Sequence, residues 1–248
     1  MCFYYCLTKK NPTKLIQNKV VTEKQLNLFE EAYLVNGFDN PAMPLITADK
    51  PDEIQFFHWG LIPAWVRDME TARSIRNNTL NAKAETIFEK ASFKKSIMEK
   101  RCLILCSGFF EWQKIRGKKY PYYISLKDDE IFVFAGIWST WTDKDTGEIL
   151  NTYSIITTEA NELVGEIHNT KKRMPVILEP EDALKWINKT AAEEDIKKLM
   201  KPLDSYRMKA HTIKKFVPSD SEMINTSEII AYYYYPELVE KIDKDSLF

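Results

Sequence analysis

The residue with the most distinctive chemistry is Cys2, which directly follows the initiator Met1. Methionine aminopeptidases generally remove Met1 when the next side chain is small. Removal would leave Cys2 with a free α-amine and a thiol on adjacent carbons. The α-amine titrates near ~7.7–8.0, against ~10.4 for a lysine, so an appreciable fraction is an uncharged nucleophile at neutral pH. The thiol, with a pKa near ~8.5, adds a small population of very nucleophilic thiolate.

Such a 1,2-aminothiol can capture an aldehyde twice. The amine condenses to an imine, and the sulfur then closes a five-membered thiazolidine. The second attack is intramolecular, so it avoids most of the entropic cost of a bimolecular step. The alternative is that Cys2 is an ordinary residue of an early strand, since buried cysteines are common.

Three further polar residues stand among apolar or small neighbours: Asn81, Glu111 and His168. Glu111 lies between aromatic residues, where desolvation would raise its pKa and let it pass on a proton near neutrality. Alternatively, it faces solvent from a strand. His168 follows a predicted helix and is either a general acid or base, or a surface cap. Asn81 can donate and accept hydrogen bonds at a reacting centre, or it can cap a helix.

Basic residues are concentrated in one part of the chain. Ten Lys or Arg and four acidic residues lie between positions 83 and 119, and Lys171, Lys172 and Arg173 form a further cluster. This asymmetry favours a track for the backbone of single-stranded nucleic acid, with exposed aromatics such as Trp65 stacking bases beside it. The alternative is an ordinary solvated helix face.

The overall composition excludes several classes of protein. The 248 residues carry 35 Lys plus Arg and 36 Asp plus Glu, a net charge of −1, which argues against coating nucleic acid by bulk charge. No apolar run reaches the ~18 residues of a membrane span, and no secretory signal is present. The 7 glycines form neither a dinucleotide fingerprint nor a P-loop, so we expect no phosphate-cradling loop. The aldehyde chemistry considered for Cys2 needs no organic cofactor.

The four cysteines, Cys2, Cys6, Cys102 and Cys106, are too few for a disulfide scaffold in a chain this long. Their spacing is not that of a usual zinc site, so we expect no metal. A reducing cytoplasm is the expected compartment.

The predicted architecture is a single domain over residues 2–235 with a fraying tail over 236–248. It belongs to the α/β (α+β) class, with a mixed, mainly antiparallel sheet, a barrel-like core and flanking helices. The predicted strands are Cys2–Leu7, Glu53–Trp59, Arg101–Cys106, Gly108–Trp112, Tyr120–Leu126, Ile131–Trp138 and Thr152–Thr157. Tyr120–Leu126 and Ile131–Trp138 read as a hairpin. The predicted helices are Thr22–Phe29, Ala84–Lys100, Asn161–Ile167, Pro180–Asn188 and Ala191–Met200.

Five motifs in order give the chain a specific resemblance. They are an N-terminal Met-Cys, Trp-Gly-Leu-Ile-Pro-Ala-Trp at 59–65, Asn-Ala-Lys-Ala-Glu-Thr at 81–86, Gly-Phe-Phe-Glu-Trp at 108–112, and Ile-His at 167–168 followed by Arg-Met-Pro at 173–175. The combination resembles the SOS response-associated peptidase (SRAP) family, whose members crosslink covalently to abasic sites in single-stranded DNA. The resemblance implies a single mixed domain with a barrel-like core and a DNA groove.

The resemblance also implies roles for particular residues. Cys2 matches the nucleophile, Asn81 the residue that positions the abasic sugar and the Cys2 amine, and Glu111 the residue that handles protons around the amine. His168 matches the histidine that assists opening of the sugar ring and reversal of the crosslink. The expected DNA contacts are Trp59, Pro63, Trp65, Lys83, Arg173 and Met174.

Three departures from the family pattern stand out. Many members continue Met-Cys-Gly-Arg, whereas Phe3 and Tyr4 follow Cys2 here, so an arginine that contacts the DNA backbone is missing. The usual His-x-Arg spacing is also stretched, because His168 precedes Arg173 by five positions. A loop must absorb three extra residues. A second bulky aromatic, often found after Trp65, is replaced by Val66.

Three functions are compatible with these features. The first is covalent crosslinking to abasic single-stranded DNA by a monomer, in the cytoplasm and on the nucleoid of a bacterium. The second is a thiol peptidase that removes its own Met1, because an N-terminal cysteine can act as a nucleophile. The third is a non-covalent binder of single-stranded DNA, whose salt-sensitive binding would survive loss of Cys2.

Overall fold

A computed structural model describes residues 2–217 and 224–239. Alternating and continuous apolar runs in the chain form thirteen strands within these residues. They are β1 (Tyr4–Leu7), β2 (Ala32–Asn36), β3 (Ala42–Thr47), β4 (Lys50–Trp59), β5 (Asn81–Lys83), β6 (Arg101–Cys106), β7 (Gly108–Ile115), β8 (Lys118–Leu126), β9 (Phe132–Thr142), β10 (Ile149–Glu159), β11 (Arg173–Pro175), β12 (Ile177–Leu178) and β13 (Met208–Thr212).

The helices are short and lie between these strands or after them. They are α1 (Thr13–Gln17), α2 (Glu23–Leu26), α3 (Met69–Arg76), α4 (Lys94–Glu99), α5 (Glu162–Ile167), α6 (Pro180–Trp186), α7 (Glu193–Leu199) and α8 (Pro236–Val239). Two have the caps that their sequences predict. Thr22 and Gln25 form a capping box at α2, and Asn161 accepts a hydrogen bond from the amide of Val164 at α5.

Five strands of the larger sheet close into a barrel. β10 pairs with β4, β4 with β3, β3 with β6, β6 with β9, and β9 returns to β10. Closure leaves these strands without a free edge. Strands β5 and β11 add to β10, and β12 adds to β9. The pairings of β10 with β4 and β5 are parallel, and the others in this sheet are antiparallel, which confirms the predicted mixed, mainly antiparallel architecture with a barrel-like core.

A second, antiparallel sheet carries the N-terminus onto the barrel. Its order is β13-β8-β7-β1-β2. Tyr5 joins the two sheets, because its ring packs 5.2 Å from that of Trp59 and its hydroxyl lies 3.0 Å from that of Tyr153. All three side chains are fully buried. The start of β1 is therefore held between the sheet and the barrel.

Two predicted elements are wrong. The segment Ala84–Lys100 is not one helix but a 3₁₀ turn over Ala84–Thr86 and the separate helix α4, and Met98 is exposed. Residues from other parts of the chain contact this segment: Trp65 donates to the carbonyl oxygen of Ala91, and Arg173 pairs with Glu85. These contacts override the helical period.

The predicted hairpin is also wrong, because β8 and β9 lie in different sheets. β8 instead forms a hairpin with β7 through Arg116 and Gly117, which both have positive φ, the conformation of a tight two-residue turn. The first residues of the segment predicted to fray form α8, and residues 240–248 lie outside the described part of the chain.

Candidate active site

Asn81 fixes the position of Cys2. It begins β5, which lies parallel to β10 with Asn81 opposite Ile155, so it is a buried strand residue and not the helix cap considered from the sequence. Its Nδ2 donates to the carbonyl oxygen of Cys2 at 2.8 Å. Its Oδ1 is buried and accepts no hydrogen bond within residues 2–217 and 224–239. The amide thus holds Cys2 and leaves an acceptor beside it.

Glu111 reaches the same place from β7. Tyr5 of β1 lies opposite Phe109 of β7. Extended toward the N-terminus, this antiparallel register brings Cys2 level with Glu111 and Trp112. The Glu111 side chain is buried, in contrast to the solvent-facing alternative. Burial raises the pKa of its carboxyl group to about 8. Glu111 therefore keeps its proton near neutral pH and is a weak acid that can give the proton away.

His168 completes the group. It follows α5 and is 6% exposed, so it is not a surface cap. Its Nδ1 lies 2.9 Å from the carbonyl oxygen of Arg173, to which it must donate, and 3.4 Å from Oε1 of Glu111. The lone pair of the ring is therefore on Nε2. Burial lowers the pKa of His168 to about 4, so the imidazole is neutral at physiological pH.

The Cys2 thiol is fully buried, and Sγ lies 3.5 Å from the carbonyl oxygen of Tyr4. Burial, and secondarily the charge of Glu111, raises the pKa of the thiol well above its ordinary range. The sulfur therefore stays protonated at neutral pH. The predicted quartet of Cys2, Asn81, Glu111 and His168 meets at one place, although its members come from distant parts of the chain.

A cavity of about 350 Å³ opens over Glu111 and His168. Three lysines line it: Lys114, Lys119 and Lys171. These lysines belong to the basic clusters of the sequence, but their place beside Glu111 and His168 was not predicted. The aromatic side of the cavity, formed by Phe3, Tyr4, Trp112 and Phe216, was not predicted either, because ring contacts between distant residues leave no local pattern.

The loop between His168 and Arg173 absorbs the extra residues as a closed turn. The amides of Lys171 and Lys172 both donate to the carbonyl oxygen of His168, and Lys172 adopts a left-handed φ of 48°. Arg173 then pairs with Glu85 and donates to the carbonyl oxygen of Thr157 at 2.6 Å. Hydrogen bonding to Arg173 lowers the pKa of Glu85. The guanidinium is thus held beside β10.

The residues expected to contact DNA are divided between surface and core. Trp65 is 55% exposed and lines a second cavity with Pro63, and Lys83 is exposed. Trp59 and Met174, by contrast, are fully buried, so their side chains do not reach a surface ligand. Trp59 donates to the carbonyl oxygen of Leu80 at 2.8 Å, and this bond anchors the residue that precedes Asn81.

The described residues contain no group of three or more His, Cys, Asp or Glu side chains that could hold a metal ion. Within the same ranges, no helix is long and apolar enough to cross a membrane.

One protein family and several known proteins resemble this chain. A model of the SOS response-associated peptidase (SRAP) family matches residues 1–219. The abasic site processing protein YoqW of Bacillus subtilis is 39% identical over 174 residues, which cover 69% of this chain and 73% of that protein. The abasic site processing protein HMCES of Gallus gallus is 32% identical over 182 residues, covering 65% of this chain and 52% of that protein.

Solved structures with a similar fold are also found. A crystal structure of a protein from Bacteroides thetaiotaomicron is similar, with a TM-score of 0.83 and 41% identity over 94% of this chain and all of that one. A protein from Bordetella bronchiseptica has a TM-score of 0.72 at 23% identity, over 86% of this chain and all of that one, which supports the fold alone.

Proposed function

This chain belongs to the SOS response-associated peptidase family, and we propose that it processes abasic sites in single-stranded DNA by crosslinking to them through Cys2. The observation that carries the proposal is the meeting of four groups. Asn81 donates to the carbonyl oxygen of Cys2 at 2.8 Å, Glu111 lies within electrostatic reach of the Cys2 thiol, and His168 lies 3.4 Å from Glu111. Removal of Met1 would add the α-amine that the chemistry needs.

The first step is formation of an imine. The Nε2 lone pair of His168 takes the hydroxyl proton of the closed sugar as the bond between C1 and the ring oxygen breaks, and then returns that proton to the released ring oxygen. The ring-opened sugar presents its aldehyde. The Cys2 amine adds to the carbonyl carbon, and one proton passes from the nitrogen to the oxygen to give a neutral carbinolamine. Glu111, which keeps its proton up to about pH 8, protonates the departing hydroxyl group. Water leaves, and Glu111 is left as a carboxylate beside an iminium ion.

The second step closes the ring. The Glu111 carboxylate takes the proton of the Cys2 thiol, and the sulfur attacks the iminium carbon. One C–S bond forms, the C=N double bond becomes single, and Glu111 is protonated again. The net reaction joins an aldehyde to an aminothiol with loss of one water. Because burial keeps the thiol protonated, the sulfur needs this base at the moment of attack.

Closure of the ring would protect the DNA strand. An open iminium withdraws electrons from the adjacent carbon and favours strand cleavage by β-elimination. The thiazolidine has no such double bond, so elimination stops. The buried Oδ1 of Asn81 is available to accept a hydrogen bond from the nitrogen of Cys2 and so to orient it in both steps.

The proposal is tested with uracil-containing single-stranded DNA that has been treated with a uracil glycosylase. The wild-type protein should form an adduct that survives denaturing electrophoresis, and Cys2→Ala should form none. Cys6→Ser is the matched control, because Cys6 is equally buried but bonds to Tyr123 and lies outside the site. Absence of the wild-type adduct, or an equal adduct with Cys2→Ala, would contradict the proposal.

A second candidate activity is removal of Met1 by the protein itself, since the Cys2 thiol adjoins the Met1–Cys2 bond and lies within electrostatic reach of Glu111. Mass spectrometry of protein made in cells that lack aminopeptidase processing tests it. Loss of Met1 from the wild type but not from Glu111→Gln would support self-processing. Met1 that persists in the wild type would rule it out.

A further inference from the structure

The cavity over Glu111 and His168 joins two unlike surfaces. One side is aromatic: the ring of Trp112 lies 5.3 Å from that of Tyr4 and 5.8 Å from that of Phe216. The other side is basic, with the ammonium groups of Lys114, Lys119 and Lys171. Aromatic faces stack with bases, and lysines pair with phosphates. The two surfaces together match the two halves of a nucleotide.

The basic side is held in place by specific bonds. Asn169 bridges the turn to β7, because its Oδ1 accepts from the Lys114 amide at 3.0 Å and its Nδ2 donates to the Lys114 carbonyl oxygen at 2.9 Å. The turn that carries Lys171 is closed by two hydrogen bonds to His168. Lys171 is close enough for its charge to act on both Glu111 and His168, although burial dominates the pKa of each.

Two distant segments of the chain meet at this cavity. Phe3 and Tyr4, which follow Cys2, line one side. Thr170 and Lys171, from the turn between His168 and Arg173, line another. The first segment contributes aromatic rings, and the second contributes a cation.

We propose that this cavity is the seat of the nucleotide next to the abasic sugar, with its base against Tyr4 and Trp112 and its phosphate on Lys171 and its two neighbouring lysines. This deepens the proposed function and rests on it, because the seat adjoins the groups that would act on the sugar. The occupant is a DNA nucleotide that retains its base, on one side of the lesion. The seat is distinct from the Trp65 surface, whose cavity has a different lining.

The base half of the proposal is tested by equilibrium binding to short single-stranded oligonucleotides that carry tetrahydrofuran at the lesion. This analogue has no aldehyde, so binding is measured without crosslinking. In two further oligonucleotides the neighbouring base, on one side or the other, is replaced by a second tetrahydrofuran. The wild type should lose about tenfold in affinity when the base is removed on one of the two sides. Trp112→Leu should reduce that ratio to near one.

Tyr4→Leu provides a second variant, and the ratio is internal to each protein preparation, so it is insensitive to the fraction that is folded. No base preference on either side in the wild type would overturn the proposal. So would a preference that both variants retain.

The phosphate half is tested with Lys171→Gln and a matched control. Lys118→Gln removes the same charge from the β7–β8 hairpin but at a position that does not line the cavity. Lys171→Gln should reduce the slope of log affinity against log salt by about 0.7, the value for one contact to single-stranded DNA. Lys118→Gln should leave the slope unchanged. Equal slopes for the two variants would overturn the phosphate assignment.

These results are separable from failure of the proposed function. The crosslinking proposal is contradicted if true abasic DNA gives no adduct while the base preference and the Lys171 effect on binding are both present. The proposal of a nucleotide seat is contradicted if the adduct forms normally while neither effect is seen.

Discussion

The pocket around Glu111 and the surface around Trp65 lie in the same domain but use polar groups in opposite ways. In the pocket, Glu111 and His168 are buried together. Burial raises the pKa of Glu111 and lowers the pKa of His168, so that each is neutral near pH 7. At the second surface, Trp65 is 55% exposed and shares its cavity with Lys95 and Lys100. The difference fits the proposed function: burial sets the pKa values that proton transfer would need at Glu111 and His168, whereas exposure leaves the Trp65 surface accessible to a ligand.

The largest expected effect comes from removing the acidic proton of Glu111. Glu111→Gln keeps the shape of the side chain but cannot transfer a proton, so adduct formation should slow about 100-fold. Loss of the acid form of Glu111 should also make the wild-type rate fall as the pH rises above about 8. The variant should lack this alkaline decline. The measurement is single-turnover adduct formation with abasic single-stranded DNA between pH 6 and 10, scored on denaturing gels.

Trp65→Ala is the control from the other region. It should leave the rate at saturating DNA and its pH profile unchanged. A rate loss as large as that of Glu111→Gln would break the proposed division between chemistry and binding.

The next effect concerns affinity. Trp65→Ala should weaken binding of single-stranded DNA about tenfold, because one stacking platform is lost. Fluorescence anisotropy with a tetrahydrofuran-containing oligonucleotide measures it. Phe56→Ala is a matched control, since Phe56 is similarly exposed but belongs to β4 and lies outside both cavities. If both variants bind like the wild type, the Trp65 surface is not a DNA contact.

The smallest effect is on stability, and it has opposite signs for the two pocket residues. The folded pKa of Glu111 is raised to about 8, so its contribution to the free energy of unfolding is fully present below its unfolded pKa of ~4.3 and is lost as the pH rises toward 8. The folded pKa of His168 is lowered to about 4, so its contribution is fully present above its unfolded pKa of ~6.5 and is lost as the pH falls toward 4.

Between about pH 5 and 6, Glu111 and His168 change the free energy of unfolding with pH in opposite directions. Removing either group should therefore reveal the pH dependence that the other one causes. Glu111→Gln should become more stable with rising pH relative to the wild type, and His168→Gln less stable, each by at most about 1.4 kcal/mol per pH unit. Urea unfolding at several pH values measures the slopes. Parallel curves for the three proteins would show that neither group titrates as its burial implies.

Local sequence patterns predicted the elements that are marked by neighbouring residues alone, such as a mainly apolar strand or a capped helix. The predicted strand Arg101–Cys106 has the same bounds as β6, and the Asn161 cap marks the start of α5. The strand β3 was missed because Pro44 interrupts it. Pro44 is paired with β4 only, outside the part of β3 that pairs with β6, so the missing amide proton costs no ladder bond on that side.

Pairings between distant strands could not be predicted in the same way. The loop Lys127–Glu130 resembles a hairpin connection, yet β8 and β9 diverge because β9 closes the barrel. Trp59 and Trp65 show the same limit inside one motif. Both were expected at DNA, but β4 carries Trp59 into the core, whereas Trp65 follows the turn at Gly60, whose φ is +102°. Only the fold separates the structural tryptophan from the exposed one.

The four residues proposed for the chemistry were identified from their types and from the order of the motifs. Their environment was not. The buried state of Glu111 and His168 depends on how β7 and α5 pack, and the cavity depends on rings from Tyr4, Trp112 and Phe216 that are far apart in the chain. Residue identity thus indicates the reaction, and the fold sets the proton affinities.

The most direct test of the central claim is the chemical state of the Cys2 sulfur in the adduct. The purified adduct is denatured, treated with iodoacetamide and analysed by mass spectrometry. A thiazolidine predicts alkylation of Cys6, Cys102 and Cys106 but not of Cys2, with a mass equal to protein without Met1 plus DNA minus one water. An alkylated Cys2, or an adduct that persists only after borohydride reduction, would show that the nitrogen alone had reacted and would contradict the account.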